Sequence, residues 1–119
     1  MDDTSVHKLV DDICRAIHLH RHFLITTHIR ADGDGIGSAI ALYHALVGMG
    51  KTICIANDSQ TPQIYKFIVP SEGMYIHPQT PKDRPEVVFA LDSPSRERLG
   101  KIQEIIPQDT VMINIDHHI

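Results

Sequence analysis

The chain has 119 residues, 11 basic and 15 acidic, with a formal net charge of −4 when histidine is neutral. That length suits one domain or a piece of one, and such a chain buries roughly two-thirds of the surface its unfolded form exposes. A charged fraction of 22% beside 42% apolar residues argues against disorder, and the mild acidity argues against a broad basic surface for long duplex nucleic acid.

The elements follow in chain order. Val6, Leu9, Val10, Ile13 and Ile17 recur at helical spacing, so the chain opens on a helix. Thr4 or Ser5 is its expected cap, with Asp2 and Asp3 on the favourable side of its dipole. His18, His20 and His22 come near its end, and they are read as solvated imidazoles facing the negative helix terminus, not as a metal site. Phe23 to Thr27 is a continuous β-forming run, read as a buried strand. A polar, glycine-bearing loop follows from His28 to Gly35, and a helix from Ile36 to Met49, stopped by Gly48 and Gly50.

Lys51 to Ala56 reads as the next strand, Asn57 to Pro62 as a loop and Gln63 to Val69 as a short helix. Met74 to Ile76 is a short strand, and the proline-rich Pro78 to Pro85 is a surface connection. Val87 to Leu91 is a buried strand ending at Asp92. Arg96 to Leu99 and Lys101 to Ile106 are helical turns, and Thr110 to Ile115 is the last strand, directly before Asp116, His117 and His118. Strands that are continuous apolar runs and alternate with helices imply an α/β fold, a parallel sheet with helices on both faces.

Composition narrows the chemistry. No Trp is present and only 5% of residues are aromatic, so a large base-stacking platform is not expected. Cys14 and Cys54 form no C-x-x-C pair, which excludes a thiolate zinc framework; both are read as reduced core cysteines. No leader opens the chain and no apolar run approaches the ~20 residues that span a bilayer. A cytoplasmic protein without membrane contact is expected.

Nine histidines remain to be explained. In an open parallel sheet, ligands bind outside the carboxyl ends of the strands. His28, Asp32 and Asp34 stand at the first such end, Asp92 at another, and Asp116, His117 and His118 at the last. Carboxylates mixed with imidazoles and no thiolate suit Mn²⁺ or Mg²⁺, with Co²⁺, zinc or iron less favoured. Their number suggests two ions, and ions ~3.5–4 Å apart are the usual device for phosphoryl hydrolysis. Gly33 and Gly35 would let the loop fold tightly, and Gly37 and Ser38 would open a helix whose amides receive phosphate. A dinucleotide fingerprint fails at Ser38, a calcium EF loop fails at Ile36, and the Walker lysine is missing.

THIRADGDGIGSA resembles the first motif of the DHH phosphoesterase family, ALDSPSRERLG the second, and INIDHHI the third. The three stand in family order over positions 27 to 118. The resemblance implies a Rossmann-like N-terminal phosphoesterase domain over residues 1–119. It implies His28 and Asp32 as ligands of one manganese, Asp34 and His117 as ligands of the other, and Asp92 as the bridging carboxylate. His118 would contact substrate phosphate or transfer a proton, and Asp116 would orient His117. Arg30, where many relatives have Asn-Pro at this point, could reach a phosphate. Members take a further aspartate from a fourth motif beyond position 119 and carry a glycine-rich C-terminal substrate domain. The domain is therefore expected to be incomplete, and inactive without that motif and that substrate domain.

The motif form is most similar to the oligoribonuclease (nanoRNase) and pAp-phosphatase branch, which includes cyclic-dinucleotide phosphodiesterases. The function implied is two-metal hydrolysis of short oligonucleotides or small nucleotide phosphates. A homodimer of the full-length protein is compatible with it. Two alternatives stay open: a family-II inorganic pyrophosphatase, which shares the His-Asp-Asp spacing, and a non-catalytic nucleotide-sensing module of the same fold.

Overall fold

A computed structural model describes residues 2–70, 74–76 and 83–117. Its centre is a five-stranded parallel sheet of β1 (His22–Thr27), β2 (Thr52–Asn57), β3 (Met74–Ile76), β4 (Val87–Leu91) and β5 (Val111–Ile115). The spatial order is β3-β2-β1-β4-β5. The chain first winds outward from β1 to β3, then returns to the other side of β1 for β4 and β5. The order therefore reverses at β1, and the crevice between the carboxyl ends of β1 and β4 is the place where such sheets bind ligands.

The pleat sorts the apolar residues onto two faces. Phe23, Ile25, Ile53, Ile55, Val87, Phe89 and Ile113 pack on one face with Ile36, Ala39, Ile40 and Leu46 of α2 (Gly33–Gly48). Phe23 and Phe89 stack across neighbouring strands with ring centroids 6.1 Å apart. Leu24, Ala56, Val88 and Ala90 face the other way, onto Leu99, Ile102 and Ile106. Each fully buried side chain of this size contributes ~1.5–3 kcal/mol of transfer free energy. Both faces are covered, as the uninterrupted apolar strands require, but unequally. The second face is covered by two short 3₁₀ turns within Arg96–Ile105, separated by the non-helical Gly100, where φ is 65°. The two expected helical turns are both present, divided at Gly100.

Several boundaries differ from expectation. Helix α1 (Asp3–Leu19) is capped by Asp2, whose Oδ1 accepts from Ser5 N–H at 2.8 Å, not by Thr4 or Ser5. None of its residues is buried; Ile13, Ala16 and Ile17 lean on the core while Val6, Leu9 and Val10 stay exposed. Both cysteines are free; Cys14 is exposed and so not a core cysteine, whereas Cys54 is half-buried and packs against the core of the second face. Cys14 lies off the stripe formed by Ile13 and Ile17, which explains its position. Burial still pushes the Cys54 thiol up to about 12.

Helix α2 starts at Gly33, three residues before Ile36, because Asp32 caps it. Gly37 and Ser38 consequently lie in its second turn and do not open it. The short helix expected from Gln63 to Val69 is present as a 3₁₀ helix, Gln63–Ile68. Most of the proline-rich connection lies outside the described residues. No helix among the described residues is long and apolar enough to cross a membrane.

Candidate metal centre

The site is built by three loops at the carboxyl edge. β1 runs directly into His28, whose side chain is 10% exposed. Its Nδ1 lies 2.6 Å from Ile29 O. With the proton on Nδ1 donated to that carbonyl, the Nε2 lone pair faces the crevice. There Nε2 meets Asp32 Oδ1 at 3.7 Å and Asp92 Oδ2 at 3.5 Å.

Asp32 has two tasks. Its Oδ1 accepts from Gly35 N–H at 3.0 Å and so caps α2. That hydrogen bond, with a smaller contribution from the ring of His28, holds its carboxyl below the usual carboxylate range. Asp34, in the first turn of the helix, turns its Oδ2 toward His117 Nε2 at 3.1 Å.

Asp92 joins the two halves. It directly follows β4, and its N–H donates to Ile115 O at 2.9 Å, tying the β4 and β5 ends together. Its backbone takes a left-handed φ of 53°, and its side chain is only 6% exposed. Backbone strain of that kind concentrates at functional sites. One oxygen, Oδ2, faces His28; the other, Oδ1, lies 2.8 Å from His117 Nε2. A buried carboxylate needs such partners, because desolvation of an isolated one is prohibitive.

Two triads result: His28, Asp32 and Asp92; and Asp34, Asp92 and His117. Within each, one ligand atom per residue lies within 4.8 Å of the others. Asp92 belongs to both through different oxygens. The donor set is hard and borderline, three carboxylates and two imidazoles without thiolate, and fits divalent cations of the manganese and magnesium kind.

The remaining candidates fall at different places. Asp116 and Ser38 share a cavity of about 190 Å³ with Asp34, Asp92 and His117, lined also by Leu91 and Ile115. Arg30, also at a left-handed φ of 54°, is exposed and joins neither the triads nor that cavity. Its N–H donates to Ser59 Oγ at 3.4 Å. His118 lies outside the described residues.

The loop glycines serve close approach, not a special dihedral. Neither Gly33 nor Gly35 has a positive φ. A Cβ on Gly35 would lie 2.5 Å from Thr27 Oγ1, and one on Gly33 would lie 2.9 Å from Tyr65 Oη. Packing of the helix start against β1 at Gly35 and against the 3₁₀ helix Gln63–Ile68 at Gly33, rather than a tight turn, is what these positions need.

The polar end of the second strand is a residue that sequence reasoning missed. Asn57 is not the start of a loop but the last residue of β2, and it is buried. Asp58 Oδ1 accepts from Lys101 N–H at 3.1 Å, tying this loop to the cover of the second face. The signal was present as an amide ending an otherwise apolar strand, followed by two more polar residues, ICIAN-DS.

With this geometry in place, comparison with known proteins is decisive. The profile described as "DHH family, N-terminal domain" matches residues 22–119. The chain belongs to the DHH family. The DHH match takes in all three loops of the centre. A curated relative, the bifunctional oligoribonuclease and PAP phosphatase NrnA of Thermus thermophilus, is 33% identical over 111 residues. The alignment covers 93% of this chain and 32% of that protein, so the chain spans about a third of the relative's length. Among solved structures, an exopolyphosphatase-related protein of Bacteroides fragilis superposes with a TM-score of 0.82 at 23% identity. The match covers 95% of this chain and 35% of the other, and the two have the same fold over that span.

Proposed function

We propose that this chain is the N-terminal catalytic part of a divalent-metal phosphohydrolase acting on short oligonucleotides or small nucleotide phosphates. The observation that carries the reading is Asp92, a buried carboxylate whose two oxygens face two separate triads. The NrnA relative, named for an oligoribonuclease and PAP phosphatase activity, supports the substrate class.

In this reading His28, Asp32 and Asp92 hold one cation, and Asp34, Asp92 and His117 hold the second, with Mn²⁺ the native ion and Mg²⁺ or Co²⁺ able to replace it. Cations held there supply Lewis acidity to a phosphoryl oxygen and lower the pKa of water. The chain's own residues do the rest. Asp32, kept ionised by Gly35 N–H, is ready as a ligand without losing a proton near neutrality. The Nδ1 contact to Ile29 O keeps the His28 ring in one orientation. Asp116 orients His117, and His118 contacts substrate phosphate or hands a proton to the leaving oxygen. Ser38 reaches phosphate through its hydroxyl, from the same cavity as Asp34 and His117, and Arg30 approaches from the rim.

Because the chain spans about a third of its curated relative, substrate choice is assigned to the remainder of the protein. Residues 1–119 are read as the N-terminal domain, inactive without a further metal-binding motif and a substrate domain. The setting is cytoplasmic, and a homodimer of the full-length protein is compatible with the site.

The test is Mn²⁺-dependent release of mononucleotide from a dinucleotide by the full-length protein, run beside pAp and pyrophosphate. Cleavage of the dinucleotide or pAp is expected. Activity on pyrophosphate alone would move the protein to the pyrophosphatases, and no activity on any of the three would end the hydrolase reading.

A further inference from the structure

The fork between β1 and β2 carries an inference that rests on the metal-centre reading. β1 stays paired with β4 as far as Thr27 and Leu91. Its ladder to β2 stops two residues earlier, at Ile25 and Ile55. β2 meanwhile continues beside β3 through Asn57 and Ile76. The last two residues of β1 therefore lose their β2 neighbours immediately before His28.

The side chain of Asn57 fills that gap. Its Oδ1 accepts from Thr27 N–H at 3.2 Å and from Thr26 Oγ1 at 3.4 Å. The residue is 2% exposed, and its Nδ2 is buried without a hydrogen-bond partner among the described residues. A buried polar group is normally fully paired, and an exception asks for a reason. Here the acceptor is used and the donor is not, so the amide is retained for its oxygen.

The peptide on the far side of His28 is pinned as well. Ile29 N–H donates to Arg98 O at 2.6 Å. His28 is thus flanked by two fixed peptide groups, Thr26–Thr27 held by a side chain of β2 and His28–Ile29 held by the backbone after β4. Without the first, the Thr26–Thr27 peptide has no partner on the β2 side, and His28, one residue further on, loses one of the two anchors that flank it.

We infer that Asn57 is a positioning residue of the metal centre: its Oδ1 bridges the β1–β2 fork and aims His28 Nε2 at Asp32 and Asp92. Residues that orient a ligand from behind typically change metal affinity 10–100-fold when removed. The unused donor gives the inference its discriminating variant. Asn57→Asp keeps an acceptor oxygen and puts a hydroxyl where the idle amide stood, since a buried carboxyl without a counter-charge is held protonated; Asn57→Ala removes both.

The experiment uses the full-length protein in three forms: wild type, N57A and N57D. Calorimetric titration with Mn²⁺ alone should show affinity weakened about 10–100-fold in N57A and close to wild type in N57D. In metal-free protein, ¹⁵N-resolved imidazole spectra should show His28 as the Nδ1–H tautomer in wild type and N57D, and a tautomer mixture in N57A. Wild-type Mn²⁺ affinity and an unchanged His28 spectrum in N57A would overturn the inference, and so would N57D as impaired as N57A. Should N57A fail to fold, hydrogen exchange at Thr27 N–H decides the matter in wild type and N57D. Slow exchange in both is expected, and fast exchange in either rejects the bridge. A wild type that binds Mn²⁺ yet hydrolyses nothing sinks the proposed function alone. A wild type that binds no divalent ion sinks the metal centre, while the metal-free spectra still report on Asn57.

Discussion

The two edges of the sheet carry similar residues and do different things with them. At the amino edge His20, His22, Asp83 and Glu86 gather around the starts of β1 and β4. At the carboxyl edge His28, Asp32, Asp34, Asp92 and His117 gather around the ends. By residue type the two sets are hard to tell apart. At the amino edge, however, the carboxylate is consumed by backbone. Glu86 Oε1 accepts from Arg21 N–H and His22 N–H at 3.0 Å each, and Oε2 meets His20 Nδ1 at 3.3 Å. That is a clip joining two strand starts, and it leaves no converging lone pairs. Among the described residues, only the carboxyl edge brings three ligand atoms from three side chains together. A site is recognised by where oxygens and nitrogens aim, not by their number.

Mutations can break this contrast, beginning with the largest effect. Asp92→Asn removes the charge shared by both triads while keeping the shape. Turnover should fall to background and Mn²⁺ stoichiometry should drop in titration; near-normal kcat would contradict the shared role. Gly35→Ala comes next. Its methyl meets Thr27 Oγ1 in a packed interior, where overpacking costs ~1–3 kcal/mol, partly offset by about 1 kcal/mol of helix propensity. A lower thermal midpoint and weaker Mn²⁺ binding should occur together, since α2 carries Asp34. An unchanged midpoint would mean the helix start can slide freely.

The amino edge should respond to acid and leave the metal alone. The N–H groups of Arg21 and His22, with the ring of His20, hold the Glu86 carboxyl down at about 2, from an ordinary 4.5. Such a group stabilises the fold fully above its ordinary pKa, and the contribution is lost as pH falls toward the folded value. Glu86→Gln should therefore lower the thermal midpoint slightly at neutral pH. The gap from wild type should close between about 4.5 and about 2, with Mn²⁺ affinity unaffected. A gap that is constant with pH would show that the clip does not depend on charge.

Much of this was readable in the sequence because the deciding signals are local. A run such as Val87 to Leu91 with a single Asp after it announces both a buried strand and the residue at its tip. The first loop was legible for the same reason, since His28, Asp32 and Asp34 come directly after β1 in a short stretch of chain. What the sequence hid depends on third parties. Asp2 rather than Thr4 caps α1 because of where the helix actually starts, and boundaries shift easily by a residue or two. His20 looked solvated because Glu86, its partner, is 66 positions away. Gly35 looked like a turn glycine because its true constraint, Thr27 Oγ1, belongs to another element. Asn57 looked like loop polarity because the fork it spans exists only once three strands are paired.

The backbone of Asp92 bears on which sequences can occupy this fold. Left-handed backbone is tolerated by glycine and, among residues with side chains, best by asparagine and aspartate. The chemistry at the tip of β4 asks for two anionic oxygens on a short stem. Glycine and asparagine meet the first demand and fail the second; glutamate carries the charge but suits neither the dihedral nor the reach. The two filters overlap at a single residue. In a library randomised at position 92, folded variants should include Gly, Asn and Asp, and active ones should contain Asp alone.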